Sequence, residues 1–143
     1  MSVIVTDAGF RPDDWTGGFV PADRLARHPW AMGLGVDADG DTDARRLARR
    51  FPSIALIRVR LRHFADAAGF ALGQRLRGLG YGGRLRAQGH VLADQYTLAR
   101  RAGFDEVEIT AEMALRQPAE HWRFRGNWHH HRFGSRLAAG PRP

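Results

Sequence analysis

At 143 residues, with 43% hydrophobic and 26% charged side chains, the chain has the size and composition of one ordinary domain with its own core. It lacks any run of roughly eighteen apolar residues, which excludes a helical membrane span. It also lacks cysteine, which excludes disulfides, thiolate catalysis and cysteine-held metal or iron–sulfur centres. The net charge of +7 admits an anionic partner, but all 22 basic residues are Arg, so much of that charge reflects chain-wide Arg usage.

Residues 1–30 read as an irregular N-terminal arm. Its opening Met1-Ser-Val-Ile-Val-Thr run has neither the basic nor the long apolar segment of a signal peptide, and a cytoplasmic location is expected. Residues 3–5 can form a short strand. Pro12, Gly17-Gly18, Pro21 and Pro29 punctuate the remainder of the arm, and Trp15, Phe19 and Trp30 are expected to pin it to the domain.

Residues 31–116 read as the α/β domain. A strand at 31–36 leads into a polar turn with Asp37, Asp39 and Asp41. A calcium loop of EF-hand type would need Gly and Glu where Thr42 and Ala48 stand, so the acids are read as turn and helix cap. Asp41 or Asp43 caps a helix running to Phe51 and stopped by Pro52. A strand at 53–61 comes next. Asp66 then caps a helix carrying Phe70, Gly73, Leu76 and Leu79, closed by Gly80. A strand at 84–88, a helix at 91–102 closed by Gly103, and a strand at 105–109 complete the series.

Three of these strands alternate. Ala55, Ile57, Val59 and Leu61 interleave with Arg58, Arg60 and Arg62; Leu85, Ala87 and Gly89 with Arg84, Arg86, Gln88 and His90; Val107 and Ile109 with Glu106, Glu108 and Thr110. Helix-length connections make the strands parallel, yet parallel strands covered on both faces read as unbroken apolar runs. The predicted fold is therefore a single α/β domain of about four mostly parallel strands in β-α-β-α-β-α-β order. It is open-faced or half-barrel-like, because right-handed crossovers stack the helices on one side. Residues 117–143 read as a tail in which Trp122, Phe124, Trp128 and Phe133 alternate with Arg and with His129-His130-His131.

Ligands of parallel sheets sit beyond the carboxyl ends of the strands. Those ends bring together Arg62, His63, Gln88, Gly89, His90 and Thr110, with Asp66, Asp94 and Gln95 at the following helix starts. A histidine there can move protons near neutral pH, so His63, His90, Asp94 and Gln95 are the catalytic candidates, against a plain reading as loop and helix-start residues. Arg58, Arg60, Arg62, Arg84, Arg86 and Gln88 form a candidate anion- or partner-binding face. Glu106 and Glu108 can pair with Arg84 and Arg86, but two acids leave an excess of positive charge. Trp122 and Trp128 join the partner-contact candidates, since Trp and Arg anchor protein interfaces. Stacking on single-stranded nucleic acid ranks third among the readings. The histidine run, whose consecutive side chains diverge, is not read as a metal site. Gly78-Leu79-Gly80-Tyr81-Gly82-Gly83 follows a helix and precedes a strand, the reverse of a dinucleotide fingerprint. With no haem, flavin or nicotinamide motif, no redox cofactor is expected.

Leu76-Arg77, Tyr81-Gly82-Gly83, Arg86-Ala-Gln-Gly-His-Val-Leu-Ala-Asp-Gln95 and Gly103-Phe104-Asp105 together resemble the pattern of bacterial domain-of-unknown-function family 934. Its members are small proteins encoded beside the hemoprotein of sulfite or nitrite reductase. The resemblance spans roughly residues 50–110, and the stretch 86–95 is its most specific part. Ala67-Ala68 and Phe70-Ala71 depart from the Gly-Arg and Tyr-Ser of the family pattern. The resemblance implies a role in assimilatory sulfite reduction; the family's label of probable oxidoreductase comes from gene neighbourhood. The leading expectation is an accessory protein that binds the sulfite reductase hemoprotein or an associated enzyme. The runner-up is an oxidoreductase or anion-handling enzyme, and self-association is left open.

Overall fold

Arg-bearing strand 54–61 lies inside the sheet, with a parallel neighbour on either side. The computed structural model of the protein describes residues 2–63, 66–89, 91 and 93–117. Its strands are β1 (Ser2–Thr6), β2 (Gly9–Pro12), β3 (Val20–Pro21), β4 (Leu34–Asp39), β5 (Ile54–Leu61), β6 (Arg84–Gly89) and β7 (Glu106–Thr110). The helices are α1 (Ala44–Ala48), α2 (Ala67–Gly78), α3 (Tyr96–Arg101) and α4 (Ala111–Arg116), with 3-10 turns at Ala22–Arg27, Phe51–Ser53 and Ala93–Gln95. All seven strands form one sheet in the order β2-β1-β7-β6-β5-β4-β3. Strands β3 to β7 run parallel, and the β1–β2 hairpin is added antiparallel against β7.

The parallel, sequential order of β4, β5, β6 and β7 follows the expected β-α-β series. The strand count does not: the sheet has seven strands and is mixed. The three additional strands come from the first thirty residues, which are therefore not an irregular arm. Val3 pairs with Ile109 and Val5 with Val107, so the opening apolar alternation of the chain is satisfied by β7. Strand β4 also starts three residues later than expected and carries Asp37 and Asp39 within it. Asp37 is held there by Arg58 on the neighbouring strand, a cross-strand pairing that outweighs the weak β-propensity of an acid.

Asp43 caps α1 by accepting from the Arg45 N–H, and Asp66 caps α2 by accepting from the Gly69 N–H, as their positions predict. Helix α1 ends earlier than expected, and in place of one helix over 91–102 stand the 3-10 turn Ala93–Gln95 and α3. Gly80 (φ 100°) and Gly103 (φ 103°) take the left-handed conformation just after α2 and α3, the reason Gly is suited to closing a helix. Helix α4, capped by the Thr110 hydroxyl, falls where no helix was expected.

One continuous core joins Val36, Ile57, Val59, Leu85, Ala87 and Val107 of the sheet with Leu47, Leu72, Leu76, Tyr96 and Ala99 of the helices. The opposite face of the sheet carries the charge. Among the described residues, no helix is long and apolar enough to cross a membrane.

Candidate functional site

Register sorts the polar face into three rows. Gly35, Leu56 and Arg84 are neighbours in the lowest row, Asp37, Arg58, Arg86 and Glu106 in the middle one, and Asp39, Arg60, Gln88 and Glu108 in the uppermost, towards the carboxyl ends of the parallel strands.

The lower two rows are closed. Arg86 is fully buried: its Nε donates to Glu106 (2.7 Å), Nη1 to Glu108 (2.9 Å) and Nη2 to Asp13 (3.1 Å). Arg84 Nη2 donates to Asp14 (2.9 Å) and Glu106 (2.8 Å), and Arg11 donates to Glu106 (3.0 Å). Arg58 grips Asp37 with two bonds, Nε at 2.6 Å and Nη2 at 2.8 Å, and lies 3.8 Å from the centre of the Phe19 ring. The Trp15 indole donates to Gly18 O (2.8 Å) and rests so close to Gly35 that a β-carbon there would meet the ring at 2.8 Å. Segment 13–19 thus lies over this part of the sheet.

Electrostatics follow from that cover. Burial opposes the charge on Arg86, but its bonds to Glu106 and Asp13 raise its pKa above the ordinary guanidinium value. Asp14 is pulled down to about 2 by hydrogen bonds from Arg84 and Arg11. The expected surplus of positive charge over two glutamates is corrected here. Four guanidinium groups (Arg11, Arg58, Arg84, Arg86) meet five carboxylates (Asp13, Asp14, Asp37, Glu106, Glu108), three of them absent from the sequence-level count. The expectation of an open face fails for these rows.

The upper row opens into a cavity of about 440 Å³ lined by Asp39, Arg60, Leu61, Arg62, Gln88, Gly89, Thr110 and Met113. Arg60 is exposed, and no carboxylate among the described residues lies within ion-pair distance of it. Asp39 stands beside it in register, yet its Oδ1 accepts from the Asp41 N–H (2.9 Å) instead. Arg62 reaches Asp41 (3.2 Å) and, at 4.0 Å, Asp66. Desolvation works against the charge of buried Asp66, but hydrogen bonds from the Arg62 and Gly69 N–H groups more than compensate, and its pKa is lowered. Asp66 is therefore a fixed anion that caps α2 and steadies the β5 exit. Gln88 is half-buried, and among the described residues no hydrogen bond engages its amide.

Of the predicted site residues, Arg60, Arg62 and Gln88 meet at this cavity, whereas Arg58, Arg84 and Arg86 lie in the closed rows. His63 is exposed just beyond β5, and Asp94 and Gln95 sit in the 3-10 turn before α3; none of the three lines the cavity. His90, Trp122, Trp128 and the His129–His131 run lie outside the described residues. Asp39, Leu61 and Met113 were not anticipated as lining residues. The signal for Asp39 was present: it continues the Asp37 alternation at the end of a strand neighbouring the Arg-rich one. Among the described residues, no group of three or more His, Asp or Glu is placed to hold a metal ion.

A family model described as "Bacterial protein of unknown function (DUF934)" matches residues 35–134. The chain belongs to this family. The matched region begins within β4 and takes in all the cavity-lining residues, whereas the β1–β2 hairpin and segment 13–19 precede it. Searches of the curated proteins and of the solved structures return no match.

Proposed function

We propose that this family member is an accessory protein of assimilatory sulfite reduction, which binds the reductase system without a redox cofactor of its own and receives an anionic group in its strand-end cavity. The observation that carries the reading is Arg60: an exposed guanidinium in a concavity beside Arg62 and the Gln88 amide, with no carboxylate partner for Arg60 and no hydrogen bond to that amide among the described residues. Every other Arg on this face has its carboxylate. A guanidinium with its donors unspent is what a carboxylate or oxyanion requires. Membership of the family supports the link to the reductase, through the gene neighbourhood that the resemblance implies.

The decisive experiment is gel filtration of the purified protein with the sulfite reductase hemoprotein at low salt. Co-elution that Arg60→Glu abolishes is expected; separate elution of the two wild-type proteins overturns the accessory role. A second reading, an anion-handling enzyme of the same process, draws on the concavity itself, since a pocket at the ends of parallel strands suits a small molecule. Sulfite consumption by the isolated protein, absent in Arg60→Ala, would favour it.

A further inference from the structure

The strand-end cavity is large for a bare oxyanion. Its volume of about 440 Å³ falls within the usual range for organic ligands. An inorganic sulfite, sulfate or phosphate would leave most of it unfilled.

Its lining is also not uniformly cationic. Arg60 and Arg62 lie on β5 and its exit, while Asp39, one strand away in register, contributes a carboxylate. Gln88, one strand further in the other direction, offers both a donor and an acceptor. Leu61 and Met113 add apolar surface, and Thr110 lines the cavity while its hydroxyl caps α4. At about 4.8 Å between neighbouring strands, the span from Asp39 through Arg60 and Gln88 to Thr110 on β7 is about 14 Å. An anionic head can satisfy Arg60. An all-anionic ligand would meet repulsion at Asp39, which instead favours a hydroxyl or amine donor.

We infer that the cavity takes an organic anion with an acidic head at Arg60 and a hydroxyl-bearing body reaching Asp39 and Gln88. Its class is a sugar phosphate or a polyhydroxy carboxylate, not a free inorganic oxyanion. The inference rests on the anion-site reading above and assigns the chemistry of that site.

Calorimetric titration of the full chain tests it with probes that share one head and differ in body: inorganic phosphate, ribose 5-phosphate and adenosine 5′-monophosphate. Gluconate and sulfite are run beside them. Ribose 5-phosphate or gluconate is expected to bind about tenfold or more tighter than inorganic phosphate and sulfite, and the winner identifies the head group. Arg60→Ala should abolish binding, and Asp39→Ala should remove the preference for the hydroxylated body while leaving an inorganic anion bound. Near-UV circular dichroism confirms that each variant is folded. Equal affinities across the series, binding to none of the probes, or binding indifferent to Arg60→Ala each overturn the inference. Co-elution with the reductase is scored separately. If it persists while the series is flat, only the ligand assignment falls; if the series holds without co-elution, only the accessory role falls.

Discussion

Arg86 and Glu106 face one another on adjacent parallel strands, Nε 2.7 Å from Oε2, with both side chains withdrawn from solvent. Glu108 and Asp13 complete the set, so the guanidinium spends donors on three carboxylates. Removing one partner from a buried ionic group costs more than the pair itself contributes, because the remaining charges stay desolvated. Arg86→Ala is therefore expected to lower unfolding free energy by about 3–5 kcal/mol in a urea titration. A loss below about 1 kcal/mol would show that the carboxylates escape to water.

Arg60→Ala should behave oppositely. The side chain is exposed and has no carboxylate partner among the described residues, so stability should change by no more than about 0.5 kcal/mol. Anion binding at the cavity should disappear, and Arg60→Lys should restore it only in part, since an ammonium lacks the planar fork. Parallel thermal melts and titrations separate the two effects.

Asp14 contributes to the acid response of segment 13–19. Its pKa lies at about 2, below the ordinary value of 3.8, because Arg84 and Arg11 hydrogen-bond to it. A carboxylate depressed in the folded state stabilises fully above its unfolded pKa, and that contribution fades as pH falls towards the folded value. Attachment of segment 13–19 should therefore weaken in wild type between about pH 4 and about pH 2. Asp14→Asn should flatten that part of the profile. Emission of Trp15, isolated by comparison with a Trp15→Phe variant, reports the change, and identical profiles for wild type and Asp14→Asn would refute it.

Arg50 is a buried cation of another kind. It is 7% exposed, and its Nη1 donates to Leu25 O (2.8 Å), while its Nε and Nη2 have no partner among the described residues and its guanidinium lies 4.0 Å from the Trp30 ring centre. Replacing an under-satisfied buried charge by an apolar side chain of similar length is often neutral or stabilising. Arg50→Met is expected to leave chemical stability unchanged or raise it by about 1 kcal/mol. A loss above about 2 kcal/mol would mean that the Trp30 stack and the Leu25 bond outweigh desolvation.

Much of this was legible beforehand. Period-two alternation located β5, β6 and β7, because one face of each is apolar and packs on helices. Asp66, Gly80 and Gly103 marked helix ends by their local chemistry. The features that escaped were non-local. Nothing near Val3 or Val5 announces a partner more than a hundred residues away, and nothing near Asp13 and Asp14 announces that the fold places them over Arg86 and Arg84. Asp37 and Asp39 looked like a turn because acids are poor strand formers alone, and only the neighbouring Arg58 explains the first of them. The candidate site shifted for the same reason. Three of the arginines identified at the outset are consumed by acids distant in sequence, which leaves Arg60 and Arg62 at the opening.

The antiparallel pairing of β1 with β7, with Ser2 opposite Thr110, has a consequence for the order of assembly during synthesis. Strand β1 is made long before β7, the neighbour on its other side from β2. Until residue 110 has emerged, Ile4 and Val5 have no β7 to pair with, and closing that contact means joining nearly the whole described chain into one loop. The β4-to-β7 core can form progressively as it is made, each strand beside its predecessor. The hairpin and the segment that covers Arg86 should dock afterwards, sealing the β7 edge of the sheet once that core is in place.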